Sequence, residues 1–299
     1  MTRFQTLSDQ QWDAIADLLP ARTGRRGRPF SDARAMVEGI IYRYRCGIAW
    51  RDVPGVFGPW QTIWTWHRRL ANDGTWDRIL ERLLTIADAA GILDWVVSVD
   101  STIVRAHQHA TNIARHTQGD PSNYTNLRIE PPDHAVGRSR GGLSTKIHQL
   151  VDGHGLPLVV LVAPGQFGDS PAFPHLLDQL RVPRLAGGRP RTRPDRVRGD
   201  KAYSSRAHRA LLRRRRIGAV IAEPSDQAGH RRRRGSGGGR PPAFDSADYR
   251  GRNVVERRFC HLKQWRGLAT RYDKLATVYR AAVVLNAVVA WTKHLSDIP

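Results

Sequence analysis

Four residues of the segment DYRGRNVVERRFCHLKQW, positions 248 to 265, could do chemistry together: Tyr249, Arg252, Glu256 and Lys263. A helix advances about 100° per residue, so Tyr249, Arg252 and Lys263 fall roughly +20°, −40° and −20° from Glu256, all on one narrow face. One acid set among a guanidinium, an ammonium and a phenol can bind a metal ion while the cations grip a polyanion. Two further acids stand at the ends of expected strands, Asp100 after VVSV and Asp200 after RVRG. If Asp100, Asp200 and Glu256 converge, their oxygens suit a hard divalent cation, Mg²⁺ or Mn²⁺, that keeps some of its waters. Two such ions roughly 4 Å apart activate an attacking oxygen and stabilise a leaving one, which is phosphodiester chemistry. Each acid also has a purely structural reading: a turn cap at Asp100, a pair with Lys201 at Asp200, a salt bridge from Arg252 to Glu256.

Those residues need elements to hold them. Residues 8 to 90 carry helical patterning in several pieces. Ser8 is placed to cap a helix with Trp12, Ile15, Leu18 and Leu19 inward, stopped by Pro20. After a basic link, ARTGRRGRPF, Ser31 opens a second helix with Met36, Val37, Ile40, Ile41 and Tyr44 inward, ending near Gly47. Pro59 suits the first turn of a third helix, in which Ile63, Trp64 and Leu70 repeat at helical spacing, and a fourth runs from about 76 to 90. A helix, a long turn and then an aromatic, basic helix is compatible with a helix-turn-helix reader of DNA, with Arg68 and Arg69 as its phosphate contacts. It is equally compatible with a bundle whose core is Trp50, Trp60, Trp64 and Trp66.

The texture changes after Gly91, and the expected organisation is an all-α domain over 1–92 followed by an α/β domain over 93–299. WVVSVD, 95 to 100, reads as a short buried strand. Residues 101 to 142 read as a long polar loop, and its His107, His109 and His116 as loop residues rather than metal ligands. Two strands flank the turn DGHG at 152 to 155. Helix is expected at 171 to 181, strand at 196 to 200, helix at 204 to 215, strand at 217 to 222, and helices from 246 onward. That order implies a mixed sheet with flanking helices. Gly, Ser and Pro mark 225 to 245 as a flexible basic loop. Asp169 reads most simply as a helix cap, and Trp265 as packing.

Among 299 residues, 48 Lys and Arg against 27 Asp and Glu leave a formal net charge of +21. That surplus favours a polyanionic partner, with nucleic acid ahead of an anionic membrane. The two cysteines, Cys46 and Cys260, have neither zinc-site nor disulfide-framework spacing, which fits a reducing compartment. No apolar run approaches the roughly 18 residues of a membrane span, so no membrane partner is expected, and the location expected is the cytoplasm.

The signature Tyr249, two residues, Arg252, three residues, Glu256, six residues, Lys263 resembles that of the DDE transposases of bacterial insertion sequences. Within the superfamily numbered four and five it is most similar to group five. VDSTIVRAHQHA resembles the segment that holds the first catalytic acid, which would be Asp100, and GDKAYSS the segment of the second, which would be Asp200. GRSRGGLSTKIH, RYDKLA and GIAWRDVPGVFGPWQTIWTWHRRL are further family-like stretches, and the likeness runs over about residues 5 to 293. The resemblance implies an RNase H-like fold with the acids on its first strand, just after its fourth strand and on a C-terminal helix. It also implies Asp100, Asp200 and Glu256 as ligands of Mg²⁺ or Mn²⁺, and Tyr249, Arg252 and Lys263 on DNA phosphate. The activity implied is binding of terminal inverted repeats in double-stranded DNA, cleavage at the element ends and transfer of the 3′ ends to target DNA. A homodimer or larger assembly on DNA, in a bacterial nucleoid-associated setting, would accompany it. The alternative is a non-catalytic or decayed transposase-derived DNA-binding protein.

Overall fold

The N-terminal helices begin where their caps are. In the computed structural model, which describes residues 5–20, 32–111 and 134–297, Ser8 and Gln11 form a reciprocal capping box that starts α1 (Asp9–Asp13). Asp32 caps α2 (Ala33–Cys46) through the N–H groups of Arg34 and Ala35; Ser31, expected in that role, lies outside the described residues, as does the link 21–30. Met36, Val37, Ile40, Ile41 and Tyr44 all face inward as their spacing requires, and Gly47, at φ 69°, ends the helix. Helices α3 (Trp60–Asn72) and α4 (Thr75–Ala89) follow. In α3 the buried positions are Ile63, His67 and Leu70, while Trp64 is only half-buried. The apolar-spacing argument missed His67 because a neutral, hydrogen-bonded imidazole can occupy a core position.

Strand β1 (Val96–Ala106) is followed by the single turn α5 (Gln108–Thr111), then β2 (Gly137–Ser139), β3 (Gly142–Val151) and β4 (Pro157–Pro164). The second half holds α6 (Asp169–Gln179), β5 (Arg196–Gly199), α7 (Arg206–Arg214), β6 (Gly218–Ile221) and α8 (Ser225–Arg233). It closes with α9 (Ser246–Tyr249), α10 (Asn253–Lys263), α11 (Arg266–Ala269), β7 (Thr270–Arg271) and α12 (Ala276–Ser296). β4, β3 and β1 pair antiparallel, and β1, β5 and β6 pair parallel. The short β2 extends the outer edge of β3 beyond β4, and β7 touches the far end of β1. With the β2 hairpin set aside, strands one, two and three are antiparallel and four and five run parallel to the first. That mixed, helix-flanked sheet is the RNase H-like arrangement.

Two loops expected from composition are partly regular. β1 does not stop at Asp100; it continues to Ala106 because β3 pairs with it as far as Arg105↔Ser144. The polar run therefore has a tertiary partner for its backbone, which composition cannot reveal. Residues 112 to 133, with His116, lie outside the described residues. The expected flexible loop at 225 to 245 is helical over α8 and has a 3₁₀ turn at Gly235–Gly238. Pro224 precedes α8, Asp226 stands in its first turn, and its Arg residues complement the C-terminal end of the helix dipole.

Helix α12 is buried nearly all round, from Val278 and Tyr279 to Trp291, and packs against α4, α3 and β4. One continuous apolar core thus runs from Leu7 and Ile15 through α2 to α4 into the sheet. Among the described residues no helix is long and apolar enough to cross a membrane.

Candidate active site

The parallel register of β1 and β5 sets the first two acids side by side. The last paired rung is Val99↔Gly199, and Asp100 and Asp200 each follow it by one residue, on strands roughly 4.8 Å apart. Beyond that rung β5 turns away, and the Asp200 carboxylate caps the turn by accepting from Ala202 N–H at 2.8 Å. Among the described residues β1 runs on with that edge unpaired until β7 joins it at Arg105.

Helix α10 brings the third acid. α9 ends at Tyr249, a 3₁₀ turn spans Arg250–Arg252, and the regular helix begins only at Asn253. An unbroken helical face from Tyr249 onward is therefore replaced by a tighter turn, yet Arg252 and Glu256 still meet four residues apart. The Arg252 guanidinium donates to Glu256 Oε1 at 2.5 Å and to Asp100 Oδ2 at 3.2 Å, bridging the helix to the strand. That guanidinium lies over the Tyr249 ring, 5.8 Å from the ring centre. Gly251 leaves room for Arg198, whose guanidinium a Cβ there would meet at 2.5 Å, and Arg198 in turn holds Asp248. Lys263 is exposed at the other end of α10, about 10 Å along the axis from Glu256.

Burial pushes the Asp100 carboxyl up to about 6; Asp200 and Asp169 add to the rise, while the Ser101 N–H and Arg252 oppose it. Asp169 is a neighbour that the sequence undervalued. It is the first residue of α6, after Gly168, and makes no cap bond. Its Oδ1 instead accepts from Ser101 Oγ at 2.6 Å and from Lys146 Nζ at 3.1 Å, with His148 Nδ1 at 3.7 Å. Burial lowers His148 to about 4, with Lys146 adding to the effect and Asp169 opposing it. Lys146 and His148 lie two apart on β3, so strand alternation could have put them on one face, opposite Ser101 and Ile103 in the β1 register. Nothing local tied them to Asp169.

The carboxylates offer the oxygen donors that a hard divalent cation requires. They are not preassembled around one: among the described residues no group of three His, Cys, Asp or Glu side chains is close enough to hold an ion. The Arg252 guanidinium occupies the position between Asp100 and Glu256, so the set fits such an ion in donor chemistry once Arg252 yields one of its two partners.

Arg68 and Arg69 stand apart from the acids on α3, stacked over Trp64 at 5.6 Å and Trp66 at 4.7 Å. The His107 ring packs at a tilt against those of His109 and Tyr272, each at 4.7 Å between centroids. Trp265 is buried as packing.

Residues 7–80 match the family described as "Putative transposase of IS4/5 family", and residues 92–291 match "Transposase DDE domain". Among curated proteins the chain is similar to "Uncharacterized protein y4sN" of Sinorhizobium fredii (strain NBRC 101917 / NGR234). The identity is 37% over 110 residues, 36% of this chain and 83% of that protein. "Insertion element IS402 uncharacterized 16.2 kDa protein" of Burkholderia cepacia is 36% identical over 108 residues, 33% of this chain and 73% of that protein. "Putative transposase for insertion sequence element IS402", from the same organism, is 32% identical over 155 residues, 52% of this chain and 65% of that protein. No solved structure gives a significant match.

Proposed function

The chain belongs to the DDE-domain transposases of insertion sequences, enzymes that act on DNA, and from that premise we propose that it binds the terminal inverted repeats of its element, cuts there and joins the 3′ ends to target DNA. The observation that carries this reading is the shared rung Val99↔Gly199, which sets Asp100 beside Asp200 while Arg252 ties Asp100 to Glu256.

In this reading Asp100, Asp200 and Glu256 hold divalent metal, Mg²⁺ or Mn²⁺. When bound, the metal supplies charge stabilisation to the attacking and leaving oxygens. The chain's own part is placement. Tyr249, Arg252 and Lys263 contact phosphates beside the cut, and Arg252 shifts from the carboxylates to phosphate oxygen as DNA enters. In cleavage, water adds to phosphorus, the P–O3′ bond breaks and a 3′ hydroxyl leaves. In joining, that hydroxyl attacks a target phosphodiester, and one P–O bond forms as another breaks.

The helices of 1–92 serve as the reader of the element end, helix-turn-helix fashion, with Arg68 and Arg69 pre-stacked on tryptophan rings for phosphate contact. The domain of 93–299 performs the chemistry, and a homodimer or larger assembly holds two ends together.

The test incubates the protein with Mg²⁺ or Mn²⁺ and a labelled duplex carrying the DNA that flanks its reading frame, beside Glu256→Gln and a scrambled duplex. Nicking at the end followed by joined products, absent with Glu256→Gln and on scrambled DNA, is the expected result. Specific binding without any cleavage would replace this reading with that of a non-catalytic DNA-binding relative.

A further inference from the structure

The family-like segment GRSRGG takes no part in the site above. It forms the β2–β3 hairpin, and its Arg138 and Arg140 join Arg105 of β1 around an open groove of about 480 Å³. Ile103, 46% exposed, and Gln166 complete its walls. Among the described residues no acid lines the groove. Arg105, Arg138 and Arg140 are exposed and, among those residues, pair with no carboxylate. Three guanidinium groups around an apolar floor complement a strand of nucleic acid, whose phosphates meet the cations and whose sugars meet the Ile103 side chain.

The groove's place relative to the acids says which part of the DNA it takes. Side chains alternate along β1, so Ser101, Ile103 and Arg105 share a face. Ser101 binds Asp169, at the head of α6, whereas Asp100 on the opposite face meets Arg252 of the α10 region. The strand edge between the two faces is unpaired by any described residue from Asp100 to Val104. Asp100 and Arg105 are five residues apart, roughly 17 Å of strand. That length matches about five nucleotides of backbone at 3.4 Å each. A DNA strand gripped by Arg252, Tyr249 and Lys263 on one side of the acids therefore crosses this edge and reaches the groove on the other.

We propose that the groove of Arg105, Arg138 and Arg140 holds the DNA strand that continues past the scissile phosphodiester, outside the element end. The proposal rests on the transposase reading and names where that enzyme holds the flank.

The experiment measures binding in a Glu256→Gln background, so that no DNA is cut, over about 50 to 300 mM salt. Two duplexes carry the same element end: one stops at the cleavage point, the other continues about 10 base pairs into the flank. The parent gains affinity from the flank. Arg105→Ala/Arg138→Ala/Arg140→Ala is expected to bind the trimmed end within about twofold of the parent and to lose the flank's gain. Its salt slope on flanked DNA should be shallower by about 2 to 3, near one unit for each phosphate that no longer meets a guanidinium. The matching triple Arg→Lys variant keeps the slope. The triple Arg181→Ala/Arg184→Ala/Arg189→Ala, which removes equal charge from another exposed loop, keeps the flank's gain. Circular dichroism confirms that each variant is folded. Equal weakening on both duplexes, an undiminished gain from the flank, or the same loss in the control triple overturns the proposal. A parent that fails to distinguish the element end from scrambled DNA overturns the end-recognition reading, and the groove's assignment with it.

Discussion

Tyr44 donates its hydroxyl to Asp273 Oδ2 at 3.0 Å, fastening α2 to the turn that precedes α12. Both groups are buried, and Arg43 reaches the same carboxylate oxygen at 3.3 Å while His67 Nε2 lies 3.1 Å from the Tyr44 hydroxyl. Asp273 belongs to the family-like RYDKLA segment. Its neighbour Arg271, fully buried, bonds the backbone of Ala135, Asp273 and Lys274 and the Thr145 hydroxyl. This segment therefore joins the N-terminal helices to the sheet.

Removing one partner of such a buried ion pair leaves a charge without compensation. Asp273→Ala should destabilise the fold by about 3 to 5 kcal/mol, whereas Tyr44→Phe, which loses one hydrogen bond, should cost about 1 kcal/mol. Urea unfolding of the two variants tests the ranking, and equal costs would show that the ion pair is not what holds the junction.

His67 gives the same junction a dependence on pH. Burial holds its imidazole down to about 4, with Asp273 opposing and Arg43 adding to the effect. The folded value lies below the ordinary 6.5, so the unfolded chain binds the proton more readily. Above about pH 6.5 the residue has no influence. Between 6.5 and 4 it should cost up to about 3 kcal/mol as pH falls, and below 4 nothing further. Because His148 acts in the same direction, the measurement is the difference between the parent and His67→Gln in unfolding free energy at pH 7 and pH 5. A difference that does not change between the two pH values would refute the assignment.

Asp169 accepts from two residues of unequal consequence. Ser101→Ala removes a single hydroxyl bond and should cost about 1 kcal/mol. Asp169→Ala strands the nearly buried Lys146 ammonium and should cost about 2 to 3 kcal/mol, less than a fully buried pair because the carboxylate is 28% exposed. Thermal unfolding ranks them, and Lys146→Met in the Asp169→Ala background should recover part of the loss.

Arg252 occupies the space between Asp100 and Glu256 that a divalent ion would share. Arg252→Ala should therefore bind Mn²⁺ more tightly in the absence of DNA, raising the melting temperature on metal addition by at least about 2 °C more than in the parent. Its cleavage of element ends should nevertheless fall. A metal response equal to the parent's would mean that the guanidinium does not compete for the carboxylates.

Much of the catalytic half was legible because its signals are local. The DGHG turn between two strands and the helical spacing in α2 each depend on a few adjacent residues, and the structure follows them. The Tyr249, Arg252, Glu256 spacing likewise predicted the Arg252–Glu256 contact, since neighbours four apart meet on either a regular helix or one entered through a 3₁₀ turn. The continuation of β1 beyond Asp100 was hidden, because its polar residues become a strand only through pairing with β3, some forty residues later. α8 was hidden for a related reason: Gly and Arg carry little apolar pattern, and the Gln227 side chain binds Ser204 across 23 residues.

The sequence by itself determined the chemical inventory: three acids in strand-end and helical contexts, cations at helical spacing around one of them, and a charge suited to DNA. Tertiary structure decided which groups meet. The side-by-side placement of Asp100 and Asp200 comes from a parallel register between strands a hundred residues apart, and the junction of Tyr44 with Asp273 spans more than two hundred. Contacts at such separation carry no local period, so only the packed chain could place Asp169 against Ser101 and Lys146, or gather Arg105, Arg138 and Arg140 around one groove.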